Sequence, residues 1–143
     1  MTTPNDPRSS IGTRKPANTA ASLGMLGLLT VQFLIGMAVN LYVTLPSANS
    51  GMAGMMRGGP LVMIHMMLGI VLVLGALVAF VTSLPYGRWA IVCAAISLGG
   101  MILAGVGGIT FLMGGESNSA SFLMAIGFLV AVGGYVADLV KVS

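Results

Sequence analysis

Four apolar runs, each long enough to cross a bilayer, constrain this chain more than any other feature. They extend from Ala20 to Leu45, Pro60 to Leu84, Trp89 to Met113 and Ala120 to Val140. A spanning α-helix needs roughly 20 mostly apolar residues. The 143-residue chain is 57% hydrophobic and 6% charged, with a mean hydropathy of +1.02, so little is left over for a soluble domain. The runs are continuously apolar and do not alternate. In lipid their backbone groups must bond within each segment, which means helices and excludes a barrel. The predicted fold class is all-α: a polytopic membrane protein whose four transmembrane helices form an up-down bundle, a single domain over residues 20–143.

Residues 1–19, "MTTPNDPRSSIGTRKPANT", hold three prolines and few large apolar side chains. They bury too little to offset the entropy of ordering and read as a disordered cytoplasmic tail. A cleaved signal peptide is the competing reading, but its apolar core runs to only about 7–15 residues, shorter than the first run here. Arg8, Arg14 and Lys15 precede that run, Arg88 lies between the second and third, and Lys141 follows the fourth, while Arg57 alone falls on the other side. The positive-inside rule therefore predicts a multi-pass protein of the cell membrane with both termini cytoplasmic and the 46–59 and 114–119 loops outside. The net charge of +3 is scattered and lacks interleaved aromatics, which argues against nucleic acid as a partner. Cys93 is the only cysteine and reads as a small buried residue.

Polar and small residues inside the runs give the next layer. Gln32, Gly36 and Asn40 recur every four residues in "VQFLIGMAVNLYVTLP", a stripe expected to face another helix, because an amide exposed to lipid is costly. It serves either as interhelical glue or as the lining of a cofactor pocket or polar path. Gly100, Ala104 and Gly108 in the third run, and Gly127, Ala131 and Gly134 in the fourth, suit close helix approach. Trp89, Tyr86 and Arg88 suit a headgroup anchor. Asp138 and Lys141, three apart, read as an exposed ion pair.

His65 is the one ionisable residue placed well inside a run, and intramembrane ionisable groups mark function by default. Counting inward from Leu45 and Pro60 sets Asn40 and His65 at similar depth, so a neutral histidine bonded to an amide such as Asn40 is one expectation. Gly69, Leu72 and Ala76 follow His65 on one face. The segment "GMAGMMRGGPLVMIHMM", residues 51–67, holds six methionines around this histidine, and two ligand chemistries compete with the structural role. A b-type heme would take His65 as one axial ligand and Met113 or Met124 as the other. Copper(I), a soft ion arriving from outside, would take His65 with Met63 and Met67. Catalysis is not expected: no embedded carboxylate, no nucleophile beside a base and no cluster of two His, Asp or Glu is apparent.

"HMMLG" in a second helix, after a first helix carrying glutamine and glycine, is similar to the layout of small four-helix b-type cytochromes and of half of a heme A synthase. That likeness implies His65 as an axial ligand, although the second histidine such proteins usually supply is missing from the fourth run. "QFLIGMAVNLYVTLP", "HMMLG", "GGITFLMGG" and "SFLMAIGF" together resemble a set of small uncharacterised bacterial four-helix integral membrane proteins. The resemblance covers all four runs and implies architecture without an activity. The expectation is a non-enzymatic structural or accessory membrane component, in contact with the lipid bilayer and with a membrane-protein partner or a second copy. The alternative is a heme- or copper(I)-binding membrane protein built on His65.

Overall fold

The computed structural model describes residues 16–43, 59–114 and 117–142. Four helices account for nearly all of them: α1 (Pro16–Tyr42), α2 (Gly59–Ser83), α3 (Arg88–Gly114) and α4 (Asn118–Val142), with a 3-10 turn at Leu84–Tyr86 between α2 and α3. No strand occurs among the described residues, and the fold is an all-α four-helix bundle. The tail before Pro16 and the first part of the methionine-rich segment, with Met52, Met55, Met56 and Arg57, lie outside the described residues.

Local chemistry explains where the helices begin and end. Pro16 opens α1 and Pro60 stands second in α2, positions where a missing N–H and a fixed φ cost nothing. Residues 16–19, expected in the tail, therefore belong to the first helix. α2 stops at Ser83 because Pro85 follows, and the chain reverses through Gly87 at φ +98°. The Gly87 carbonyl accepts the first bond of α3, from Ile91 N–H at 3.3 Å. A side chain in that essentially glycine-only region is strained by roughly 1–3 kcal/mol. Gly87→Ala is accordingly expected to lower the thermal midpoint in detergent, whereas Gly99→Ala, whose Cβ would meet open space, should leave it unchanged or raise it. Equal midpoints for the two variants would contradict this account of the turn.

Each helix packs along its neighbours in sequence, α1 also packs along α4, and no Cα atoms approach within 8 Å across either diagonal. The result is an up-and-down square. Its interior is small and its exterior large: Ala76, Ser97 and Ala131 are fully enclosed, while Leu34, Met63, Val78, Phe122, Leu129 and Val140 are exposed. That inversion suits lipid, where burying apolar surface brings helices no advantage and close van der Waals packing has to hold them. All four helices, over Thr19–Tyr42, Gly59–Tyr86, Arg88–Met113 and Asn118–Lys141, are long and apolar enough to cross a membrane, which makes this a multi-pass membrane architecture.

The closest approach is between α3 and α4. A Cβ at Gly100 would stand 2.5 Å from Ala131 N, and one at Gly107 would stand 2.9 Å from Met124 N. Added carbons at Gly127 and Gly134 would strike Ala104 N and Ser97 Oγ respectively. Ser97 Oγ in turn donates to the Ala131 carbonyl at 3.1 Å. Gly107, not the expected Gly108, is the glycine seated in this seam. Contacts at 97, 100, 104 and 107 alternate steps of three and four, the 3.5-residue period of a left-handed supercoil, and a strict four-residue ladder drifts off it by one position.

α1 is held more loosely. Phe33 stacks on Phe128 of α4 with ring centroids 4.8 Å apart, within the range of favourable aromatic pairs. At the end of the bundle where α3 begins, the Lys141 ammonium lies 4.1 Å above the Trp89 ring, a cation–π contact.

Candidate functional site at the α1–α2 interface

His65 points at α1, and a missing side chain makes room for it. A Cβ at Gly36 would lie 2.7 Å from His65 Cε1 and 3.4 Å from each ring nitrogen, so the imidazole is seated on the α1 backbone. The reciprocal recess is on α2. Gln32 reaches across to Gly69, its Nε2 standing 3.2 Å from the Cβ position there, and donates to the His65 backbone carbonyl at 2.9 Å. Gly36 and Gly69 are thus complementary notches, one for a ring and one for an amide.

Donation to that carbonyl fixes which way the Gln32 amide points. The same nitrogen lies 3.4 Å from His65 Nε2; when the imidazole carries its proton on Nδ1, that ring nitrogen accepts the remaining N–H. Gln32 Oε1 and His65 Nδ1 are buried without hydrogen-bond partners. The geometry joins two helices through one good hydrogen bond, one long one and a close steric fit.

The expected polar stripe is corrected at one position. Gln32 and Gly36 meet α2, but Asn40 is exposed near the end of α1 and does not partner His65. Two physical reasons combine. The inward face of α1 runs through Leu29, Gln32, Gly36 and Val39, again in alternating steps of three and four, so the fourth member is Val39, which is buried. The described helices also end at Tyr42 and Gly59, not at Leu45 and Pro60; counted from those ends, Gly36 and His65 each stand six residues in.

Neither proposed ligand set is brought together. Met63 and Met67 are 62% and 59% exposed, because a residue two positions from His65 lies about 200° around the helix; the copper(I) triad is split across two faces of α2. For heme, Met113 is 71% exposed, and Met124 packs on Gly107 and Gly108 of α3, while His65 is committed to α1. The seated imidazole cannot present a nitrogen to an axial position without moving α1 away, so the residues as arranged do not fit a heme. Among the described residues no group of three or more His, Cys, Asp or Glu converges as a metal site.

Leu72 and Ala76, expected on the His65 face, are buried there and belong to the central apolar cluster with Leu29, Met101, Ala131 and Tyr135. The expectation that Asp138 is exposed is also corrected. Asp138 is only 7% exposed and accepts a hydrogen bond from Ser22 Oγ of α1 at 3.2 Å. The spacing Ala131, Tyr135, Asp138 carries the inward seam of α4, a signal that nearness to a helix end and to Lys141 obscures.

Comparison with known proteins gives no match for this chain among family models, curated proteins or solved structures.

Proposed function

We propose that this chain is a non-enzymatic structural or accessory component of the cell membrane. The observation that carries the reading is the use to which His65 is put: its ring fills the Gly36 notch and its carbonyl holds Gln32. The side chain best suited to be a ligand acts as an interhelical fastener. Under this reading the bundle requires no heme or copper and no nucleic acid. Its exposed apolar exterior meets lipid over most of the surface and a membrane-protein partner or a second copy over part of it. The distribution of arginine and lysine supports cytoplasmic termini, with the 46–59 and 114–119 loops outside. The likeness to small bacterial four-helix membrane proteins enters as one of architecture.

The test is elemental mass spectrometry for iron and copper on detergent-purified protein expressed with both metals supplied. Metal at background, with specific membrane proteins retained in mild detergent, is the expected result. Iron or copper near one per chain, lost in His65→Ala at matched expression, would overturn the proposal in favour of a ligand role. The orientation has its own check, since a cysteine at Ser50 should react with an impermeant maleimide from outside intact cells.

A further inference from the structure

The seat of His65 suits a neutral imidazole and not a charged one. Gln32 Nε2 donates to the His65 carbonyl at 2.9 Å and stands 3.4 Å from His65 Nε2. A ring nitrogen facing that amide can bond it only as an acceptor, and protonation puts a hydrogen on both ring nitrogens. Nε2–H would then face an N–H, and Nδ1 is buried with no hydrogen-bond partner to receive a proton. Turning the ring over exchanges two donors and changes nothing. Reversing the Gln32 amide would offer Oε1 to Nε2–H, but it would set two oxygens against each other at the His65 carbonyl. A buried charge with neither N–H bonded is costly, so a charged ring is driven out of the Gly36 notch.

No neighbouring charge offsets that cost among the described residues. The facing helix α1 carries Tyr42 alone, on an exposed face six residues beyond Gly36, and α2 has no other ionisable side chain. Arg88 and Cys93 of α3, and Tyr135, Asp138 and Lys141 of α4, belong to the half of the bundle where α3 begins. Arg57 and Glu116, in the segments that join the helices at the His65 end, lie outside the described residues. His65 is half-buried and stands six residues into α2, about 9 Å at roughly 1.5 Å per residue, so protons reach it from the nearby helix end. The packing also decides which helix yields. α3 and α4 meet backbone to backbone at Gly100 and Gly127, whereas the His65 end of α1 is seated by the ring and the Gln32 amide. The Ser22 bond to Asp138 at 3.2 Å retains α1 at its other end.

We propose that His65 is a proton-sensitive latch: charging its ring empties the Gly36 notch and lets the Tyr42 end of α1 swing away from α2. The ring takes up a proton more readily once it has left its seat, so acid favours the open arrangement and neutral or basic conditions favour the closed one. The latch deepens the fastener reading of His65 and rests on it, adding regulation by proton concentration to what is otherwise a fixed interhelical contact.

The experiment measures the distance between spin labels on α1 and α2 by pulsed electron resonance, in the full chain in detergent, from about pH 8 to about pH 5. Leu41→Cys and Met63→Cys, both on exposed faces, carry the labels in a Cys93→Ala background. A second, longer distance is expected to appear reversibly as the pH falls, its population relative to the short one rising by up to about tenfold per pH unit, the limit for a single proton. His65→Asn leaves Gln32 its backbone carbonyl and cannot take up a proton in this range, so it should keep one distance throughout. Gln32→Glu sets a carboxylate oxygen opposite the ring nitrogen and should keep the helices together in acid. An unchanged distance distribution in the otherwise wild-type protein would overturn the latch, and so would acid lengthening that persists in His65→Asn. If Gln32→Glu does not fold, His65→Asn decides. The fastener itself is judged separately, at neutral pH, by whether the losses from Gly36→Ala and His65→Ala compensate; compensation without acid lengthening removes the latch and leaves the fastener standing.

Discussion

Gly127→Leu is expected to separate α3 from α4 and to cost about 3 kcal/mol or more, at or beyond the upper end of what overpacking a closed site usually does. At this position even a methyl group would strike the backbone nitrogen of Ala104 and come within 2.6 Å of the Gly100 carbonyl oxygen. Backbone cannot rotate aside as a side chain can, so relief requires moving a whole helix. That movement would also break the Ser97 bond to the Ala131 carbonyl and loosen the seam at Gly100, Gly107 and Gly134. Against a typical stability of about 5–15 kcal/mol, a loss of this size changes the folded population ratio by about a hundredfold or more. Gly133→Leu is the matched control, since its Cβ would meet nothing within 4 Å. Thermal unfolding in detergent, followed by size exclusion, reads the difference. A Gly127→Leu protein as stable as the Gly133→Leu protein would mean that the two helices do not approach as closely as described.

The second large effect is a compensation. Gly36→Ala alone should cost about 1–3 kcal/mol, because the new carbon would lie 2.7 Å from His65 Cε1 and the ring can escape only by leaving the Gln32 amide. His65→Ala alone should cost less, about 1 kcal/mol, since Gln32 still finds the backbone carbonyl of residue 65. In the double variant the methyl group enters the space vacated by the ring, so the two costs should not add. The expected coupling is about 1–2 kcal/mol in the compensating direction, well above the scatter of about 0.3–0.5 kcal/mol seen for independent sites. Additive losses would show that ring and glycine do not share one space, and with that the fastener account of His65 fails.

The repeat along the chain was partly legible. Each helix turns inward at alternating steps of three and four: Leu29, Gln32, Gly36 and Val39 in α1; Val62, His65, Gly69, Leu72 and Ala76 in α2; Ser97, Gly100, Ala104 and Gly107 in α3; Gly127, Ala131, Gly134 and Asp138 in α4. Hydropathy conceals this pattern because both faces of a lipid-embedded helix are apolar, and side-chain size carries the distinction. Four-residue spacing is a good local guide and fails after two steps, which is how Asn40 and Gly108 were placed one position off the seam. The His65 face through Gly69, Leu72 and Ala76, already stepping at 3.5, needed no correction.

By itself the sequence determined the class: four apolar helices of spanning length, their order, and the enclosure of small residues where helices meet. These depend on transfer free energy and on backbone geometry, which act locally and are written in each segment. Only the tertiary structure decided which polar groups meet. Gln32 and not Asn40 reaches His65, Met63 and Met67 turn away from it, and Asp138 is buried beside Ser22 and not exposed on the surface. Those outcomes depend on how far each helix slides and rotates against its neighbour. In lipid that choice is made by the fit of notches such as Gly36 and Gly69, whose partners, His65 and Gln32, lie on another helix far away in sequence.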